Sequence, residues 1–479
     1  MVHVHPLTRL REGMGLSQSE YAKLIARTHT ALALGNTAAR RERVSRWEAA
    51  RSVPEHTAQL AMAHIHGIPA REVHQLGWPH WLHLATGDAT LLDQPYTDHG
   101  AVLALRAVVD LSGARHSPEL TLRGRELASH LGAALTQLAD PGRTGWTRRT
   151  TRSAAGCVPG LVGNRLRWSE ARTTALEQQE AGTLMPAAAL YGVAYAEHRL
   201  VVGNLLSGAR TSTETGAGTS GGVESPGPRR LFPLAARTAL LCTWLSSALG
   251  EETGAERHNL AALRAAVATG DRAAAGVVMA QLATRHLIVG DAADARMIVR
   301  AARAADPEPA PAVAVVLHTR EALALARLGR SGDTARALDL AADTLAADTS
   351  VASDHKHRHR PGFPFTVDDR FLTSVRADAW LHAADPRRAE PHAAALLDWL
   401  DGPEPVLAPP LTGRMLLSVV DTYLALGEAA QAVRATSCAI GVSGTLPPGL
   451  ARQYHRRLAA HQHEPLIREA LEQLAHGEF

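Results

Sequence analysis

Lysine is nearly absent. Lys23 and Lys356 are the only two, and arginine supplies the rest of the 50 basic side chains. Neither lysine follows a glycine, so the Gly-Lys-Ser/Thr of an ATP-binding P-loop is excluded. The tract Thr215-Gly-Ala-Gly-Thr-Ser-Gly-Gly222 has a phosphate loop's glycines, but no apolar strand precedes it and no helix opens behind it. It reads as linker. Cysteine is limited to Cys157, Cys242 and Cys438, odd in number and widely spaced. That offers neither a disulfide framework nor a zinc pattern, and a reduced cytoplasm is the expectation. Aromatic residues make up 4% of the chain, so the core must be mostly Ala, Leu and Val, a composition that favours helix. No uncharged apolar run approaches the length of a membrane span, and Met-Val-His-Val-His-Pro is no signal sequence. The chain is expected to be cytoplasmic, without a membrane partner. His-Glu-x-x-His is absent, and the one run with Gly-x-Ser-x-Gly spacing, Gly218-Thr219-Ser220-Gly221-Gly222, lies in that linker tract with no strand before it and so makes no nucleophile elbow. This counts against an enzyme, and no catalytic, cofactor or metal residues are assigned.

What is present divides unevenly. Length alone, 479 residues, allows two or more domains with a large core. Net charge is +3 overall, yet residues 1–69 carry Lys23 and eight arginines against five glutamates and no aspartate, a balance of +4. The remainder is about −1. A basic N-terminal module on a near-neutral body suits a nucleic-acid reader with a separate non-DNA domain.

Residues 40–54 concentrate this charge: Arg40, Arg41, Arg43 and Arg46 with Ser45 and Trp47, ahead of Pro54. They read as a short basic helix stopping before that proline. Guanidinium forks on such a helix can pair with guanine edges or phosphates in a major groove. On charge alone a solvated surface helix is an equal reading; the flanking residues decide. Leu7, Leu10 and Met14 space one face of a first helix. Ser17 with Glu20 forms a capping-box pattern that starts a second helix, with Tyr21, Ala22, Leu24 and Ile25 as its apolar side. Residues 28–39 read as a loop. Pro54 opens a fourth helix through Leu60, Ala63 and Ile65, closed by Gly67-Ile68-Pro69.

This succession resembles the Cro/repressor-type (XRE) helix-turn-helix family. The matching residues are Leu16-Ser17-Gln18 with Ala22, Val44-Ser45-Arg46-Trp47-Glu48, and Arg51-Ser52-Val53-Pro54. The resemblance implies that Gln18 touches a phosphate. It implies that Arg40, Arg41, Glu42 and Ser45 face base edges, that Arg43 and Arg46 meet the backbone, and that Trp47 and Glu48 hold the helices together. Two features depart from the family: the longer connection between helices two and three, and Arg43 where a small half-buried residue is usual. Residues 70–97 form a connector in which Gly77-Trp78-Pro79-His80-Trp81-Leu82 reads as an apolar plug between domains. That tract is also similar to one in a group of actinobacterial helix-turn-helix regulators.

Residues 98–207 are helical in pattern, with a basic Gly/Thr/Ser-rich connector at 141–156. Residues 208–229, with hardly a large apolar residue, read as a disordered linker. Beyond it, turn signals at Gly250, Gly290, Gly332, Asp385-Pro386 and Gly427 are 40, 42, 53 and 42 residues apart. Gly250 is followed by Ala255 and Ala262, Gly290 by Ala295 and Ala302, and Gly427 by Ala432 and Ala439. Small residues five and twelve positions past a glycine turn let two helices pack closely and stack on the next pair. The pattern resembles tetratricopeptide (TPR) repeats over about 234–442, and 230–479 is assigned to them with a C-terminal cap. The fold expected is all-α: a helix-turn-helix domain followed by a TPR-like solenoid. Histidines 355, 357 and 359 alternate with cations that would repel a metal, so this tract reads as a charged loop.

The functional expectation is a transcriptional regulator that binds double-stranded DNA as a homodimer. Its repeat domain would dimerise, sense a peptide or small-molecule signal, or both. The alternative is a protein-interaction scaffold with a secondary or vestigial DNA module.

Overall fold

Every element in the computed structural model of the chain is an α-helix, and no strand occurs among the described residues. These are 5–79, 81–85, 89–111, 122–139, 160–180, 187–214, 231–351, 367–400, 409–443, 446 and 448–476. The basic tract 141–156 and the histidine tract 355–359 lie outside them, as does the linker beyond residue 214. Among the described residues no helix is long and apolar enough to cross a membrane.

The chain forms two compact units. Unit one is Met1–Gln94 with Leu103–Leu120. Its helices are α1 (Pro6–Gly13), α2 (Gln18–Ala31), α3 (Arg41–Glu48), α4 (His56–Ile65), α5 (Ala70–Leu76), α6 (Leu82–Ala85) and α7 (Ala89–Leu92). Ser17 caps α2 as its spacing predicts: its hydroxyl accepts from the Glu20 N–H, and the Glu20 carboxylate accepts from the Ser17 N–H. The core gathers Leu7, Tyr21, Ile25, Val44, Trp47, Met62, Trp81 and Leu82, all buried. The tryptophan tract is therefore part of this unit's own core, where the sequence suggested a plug between domains. Trp81 donates to the Gln59 carbonyl at 3.0 Å, and the Gln59 amide donates to the Pro54 carbonyl at 2.9 Å.

Unit two is Pro95–Val102 with Thr121–Phe479. Of α8 (Asp98–Leu111) only residues 98–102 belong to it; it then contains α9 (Gly124–Ala139), α10 (Gly160–Glu180) and α11 (Ala187–Glu214). α11 runs past residue 208, where composition alone begins a linker. Five helical hairpins follow: α12 (Phe232–Ala248) with α13 (Glu252–Thr269), α14 (Arg272–Val289) with α15 (Ala292–Ala305), α16 (Pro311–Arg327) with α17 (Ser331–Val351), α18 (Asp369–His382) with α19 (Pro386–Leu400), and α20 (Pro409–Leu426) with α21 (Ala429–Ser443). α22 (Pro448–Ala459) and α23 (Pro465–His476) complete the chain.

The hairpin turns explain the repeat. Gly250 and Gly427 sit in the left-handed region at φ 77° and 76°, which glycine adopts without a Cβ penalty. All six alanines that follow Gly250, Gly290 and Gly427 by five and twelve residues are fully buried. The third turn is corrected: the left-handed glycine is Gly329, at φ 70°, while Gly332 lies inside α17. Counted from Gly329, the same offsets fall on Thr334 and Ala341, both fully buried. In the fourth turn the left-handed residue is Ala384, at φ 58°.

The first helices α14, α16, α18 and α20 pack in succession, and α20 also meets α12. The last hairpin thus returns to the first. At the closure Gly449 lies against Leu249 and Gly250, and a Cβ on Gly449 would stand 2.5 Å from the Leu249 carbonyl oxygen. Both partners there are backbone. Gly449→Ala is therefore expected to cost about 1–3 kcal/mol by overpacking. A lowered urea midpoint for the full chain would show it; an unchanged midpoint would mean the closure gives way without cost.

Candidate nucleic-acid interface

α3 is short, and its two faces differ sharply. Val44 and Trp47 are buried in the core of unit one. With about 100° per residue, Arg41, Glu42, Ser45 and Arg46 lie on the opposite side, and all four are exposed. Arg40, also exposed, is the N-cap residue. The helix ends at Glu48, earlier than the approach to Pro54 suggested, because Ala50 turns into the left-handed region at φ 53°. α4 correspondingly begins at His56 rather than at Pro54.

A chain of charged hydrogen bonds fixes α3 to its neighbours. The Arg11 guanidinium donates to Glu48 at 2.6 Å and to the Leu16 carbonyl at 2.7 Å. Glu48 also accepts from the Gln18 amide nitrogen at 2.7 Å. The Gln18 carbonyl oxygen in turn accepts from Arg41 Nε at 3.3 Å. One buried carboxylate so ties α1, α2 and α3 together and orients Arg41. The pairing with Glu48 raises the Arg11 pKa above its ordinary value, against a smaller lowering by burial.

Arg43 is committed differently. It is half-buried, its guanidinium lies 5.4 Å from the Trp47 ring centroid, and it donates to Thr37 Oγ1 at 2.9 Å and Glu55 at 3.2 Å. A bulky residue at this place is accommodated by lying over the tryptophan. There it joins the segment before α3 to the start of α4. That segment spans residues 32–40; α2 continues to Ala31, so the loop is shorter than the sequence pattern suggested. His29 closes the end of α2 by pairing Nδ1 with the Gly35 carbonyl at 2.8 Å.

Two cations were not singled out by sequence. Lys23 and Arg27, one turn apart on α2 and both exposed, line a hollow with Glu20, Ala26 and Ala39 next to the start of α3. Their i, i+4 spacing was the available signal. The exposed cations of Arg40, Arg41 and Arg46 thereby continue onto α2. No family model, curated protein or solved structure matches the chain.

Proposed function

We propose that the chain is a DNA-binding transcriptional regulator, with an XRE-type helix-turn-helix module in unit one and a TPR-like array in unit two. The supporting observation is the state of Arg41. Its Nε is oriented by Gln18, while its two terminal nitrogens make no other bond among the described residues. A guanidinium held at one edge and open at the other is prepared for a bidentate contact to a guanine edge or a phosphate. Ser45, Glu42, Arg46 and Arg40 share its exposed surroundings. On this reading Gln18 and Arg43 position the helix more than they touch DNA. The module would act in a homodimer on two half-sites about one helical turn apart.

Selection of bound sequences from random duplexes by the full chain, at two salt concentrations, tests this directly. An enriched inverted repeat supports the reading. Absence of enrichment at either salt would sink it. For the selected site, Arg41→Ala is expected to lose about 1–3 kcal/mol of binding, and Arg41→Lys most of that loss, because an ammonium lacks the fork. Equal affinity and preference in the alanine variant would remove Arg41 from the contact set.

A further inference from the structure

The first helices of the hairpins in unit two surround a cavity of about 250 Å³. Residues from α12, α14, α16, α18, α20 and α22 line it, so every first helix contributes. Four guanidiniums reach its wall, from Arg320, Arg327, Arg414 and Arg457, with Arg285 directly behind Arg414. The carboxylates available to them are already divided. Glu252 is shared by Arg285 and Arg414. Asp421 takes Arg457 at 2.8 Å. Asp378 accepts from Ser418 Oγ at 2.9 Å and pairs with His382 at 3.2 Å. Five guanidiniums thus meet three carboxylates.

Arg320 and Arg327 hold the excess. Arg320 is 7% exposed; its Nε donates to Thr284 Oγ1 at 2.7 Å and its guanidinium lies 5.7 Å from the Phe371 ring centroid. Arg327, two turns further along α16 at the exposed end, lies 2.9 Å from His382 Nε2, the same atom that faces Asp378. Among the described residues neither has a carboxylate within ion-pair distance. Burial pushes Arg320 down to about 10, with Asp378 acting in the opposite sense, so it stays cationic at neutral pH. A buried cation whose nearest carboxylate is beyond ion-pair distance and already paired is costly, and a bound anion resolves the cost.

We infer that this cavity binds a small organic oxyanion with an apolar body, its carboxylate or phosphate held by Arg320 and Arg327. The planar guanidinium fork suits both oxyanions. Trp244, Leu287, Leu323, Phe371, Val375 and Met415 supply apolar wall for the rest of the molecule. The volume falls just below the range of about 300–1,000 Å³ usual for ligand pockets, so the occupant is a small molecule and not an extended peptide. The inference stands apart from the nucleic-acid reading and involves unit two alone.

The test is a ligand-observed NMR screen of the full chain with matched sets built on the same apolar bodies: 3-phenylpropanoate, 2-phenylethyl phosphate and 3-phenylpropanamide, with their alkyl counterparts. Inorganic phosphate is included alone. Oxyanion hits are expected to outnumber amides strongly, and affinities to fall at least tenfold in Arg320→Gln and Arg327→Gln. The carboxylate and phosphate arms separate the two sources. Inorganic phosphate competing as well as 2-phenylethyl phosphate would overturn the apolar half of the inference. Amides binding equally, affinities unchanged in both variants, or no hits at all would overturn the whole. Because Arg320 is buried, Arg327→Gln at the exposed end guards against misfolding. Its free-state melting temperature is expected to hold or rise as repulsion is relieved, whereas a purely structural arginine would lower it.

Discussion

Glu48→Ala is expected to destabilise unit one by about 3 kcal/mol, the lower end of the cost of breaking a buried ion pair. The Glu48 side chain is 6% exposed and that of Arg11 is 10% exposed. Removing the carboxylate leaves the Arg11 cation in a poorly solvated place, with the Leu16 carbonyl and an exposed Glu12 as its remaining partners. Those two keep the cost from reaching the upper end. Hydrogen exchange by mass spectrometry on the full chain reads the effect locally. Protection of peptides from α2 to α4 should fall about a hundredfold, since each 1.4 kcal/mol is tenfold. Replacing both partners by apolar residues, Arg11→Met with Glu48→Leu, should recover most of the loss, because neither charge is then buried alone. If Glu48→Ala leaves exchange in α2 to α4 unchanged, the carboxylate does not hold the three helices.

The same residues show what a sequence can convey. Ser17 and Glu20 announce a helix start because a capping box is local: four residues contain donor and acceptor. Gly250, Gly290 and Gly427 were legible as turns because the alanines behind them recur at fixed offsets. Gly332 was misread for Gly329 because alanine is abundant and the buried residue at the first offset is Thr334. The end of α3 was misplaced for a related reason. Proline advertises a stop, but the chain leaves the helix at Ala50, a residue with no intrinsic preference for the left-handed region.

The cavity was illegible for a different cause. Its arginines are scattered from Arg285 to Arg457, in a chain where arginine is the ordinary cation. One trace existed. Arg320 and Arg327, Phe371 and Asp378, and Arg414 and Asp421 are each seven residues apart on first helices, two turns along one face. That spacing acquires meaning only once the hairpins are known to close on one another. The split between Arg41 and Arg43 was half legible, because Arg43 stands where the resemblance puts a small, half-buried residue. What took it up was not: only the position of Trp47, Thr37 and Glu55 commits Arg43 and leaves Arg41 open.

Trp81→Ala is expected to have the largest effect in unit one, about 3–5 kcal/mol for emptying a large buried site. The side chain is fully buried among Tyr21, Met62 and the other core residues, and its N–H donates to the Gln59 side-chain carbonyl oxygen. Gln59 is 7% exposed and in turn ties the Pro54 carbonyl ahead of α4, so the loss reaches the connection between α3 and α4. Trp81→Phe separates the contributions. It keeps most of the ring and should cost about 1–3 kcal/mol, the penalty for leaving a buried amide unpaired, plus a small cavity term. Urea unfolding followed by exchange of α2 to α4 peptides would rank the two variants. The contrary outcome is specific: if α2 to α4 exchange as before when Trp81 is alanine, the tryptophan tract is a spacer and the core of unit one is complete without it. If α2 to α4 lose protection together, as the packing requires, the exposed face of α3 depends on residues well beyond the helices that carry it.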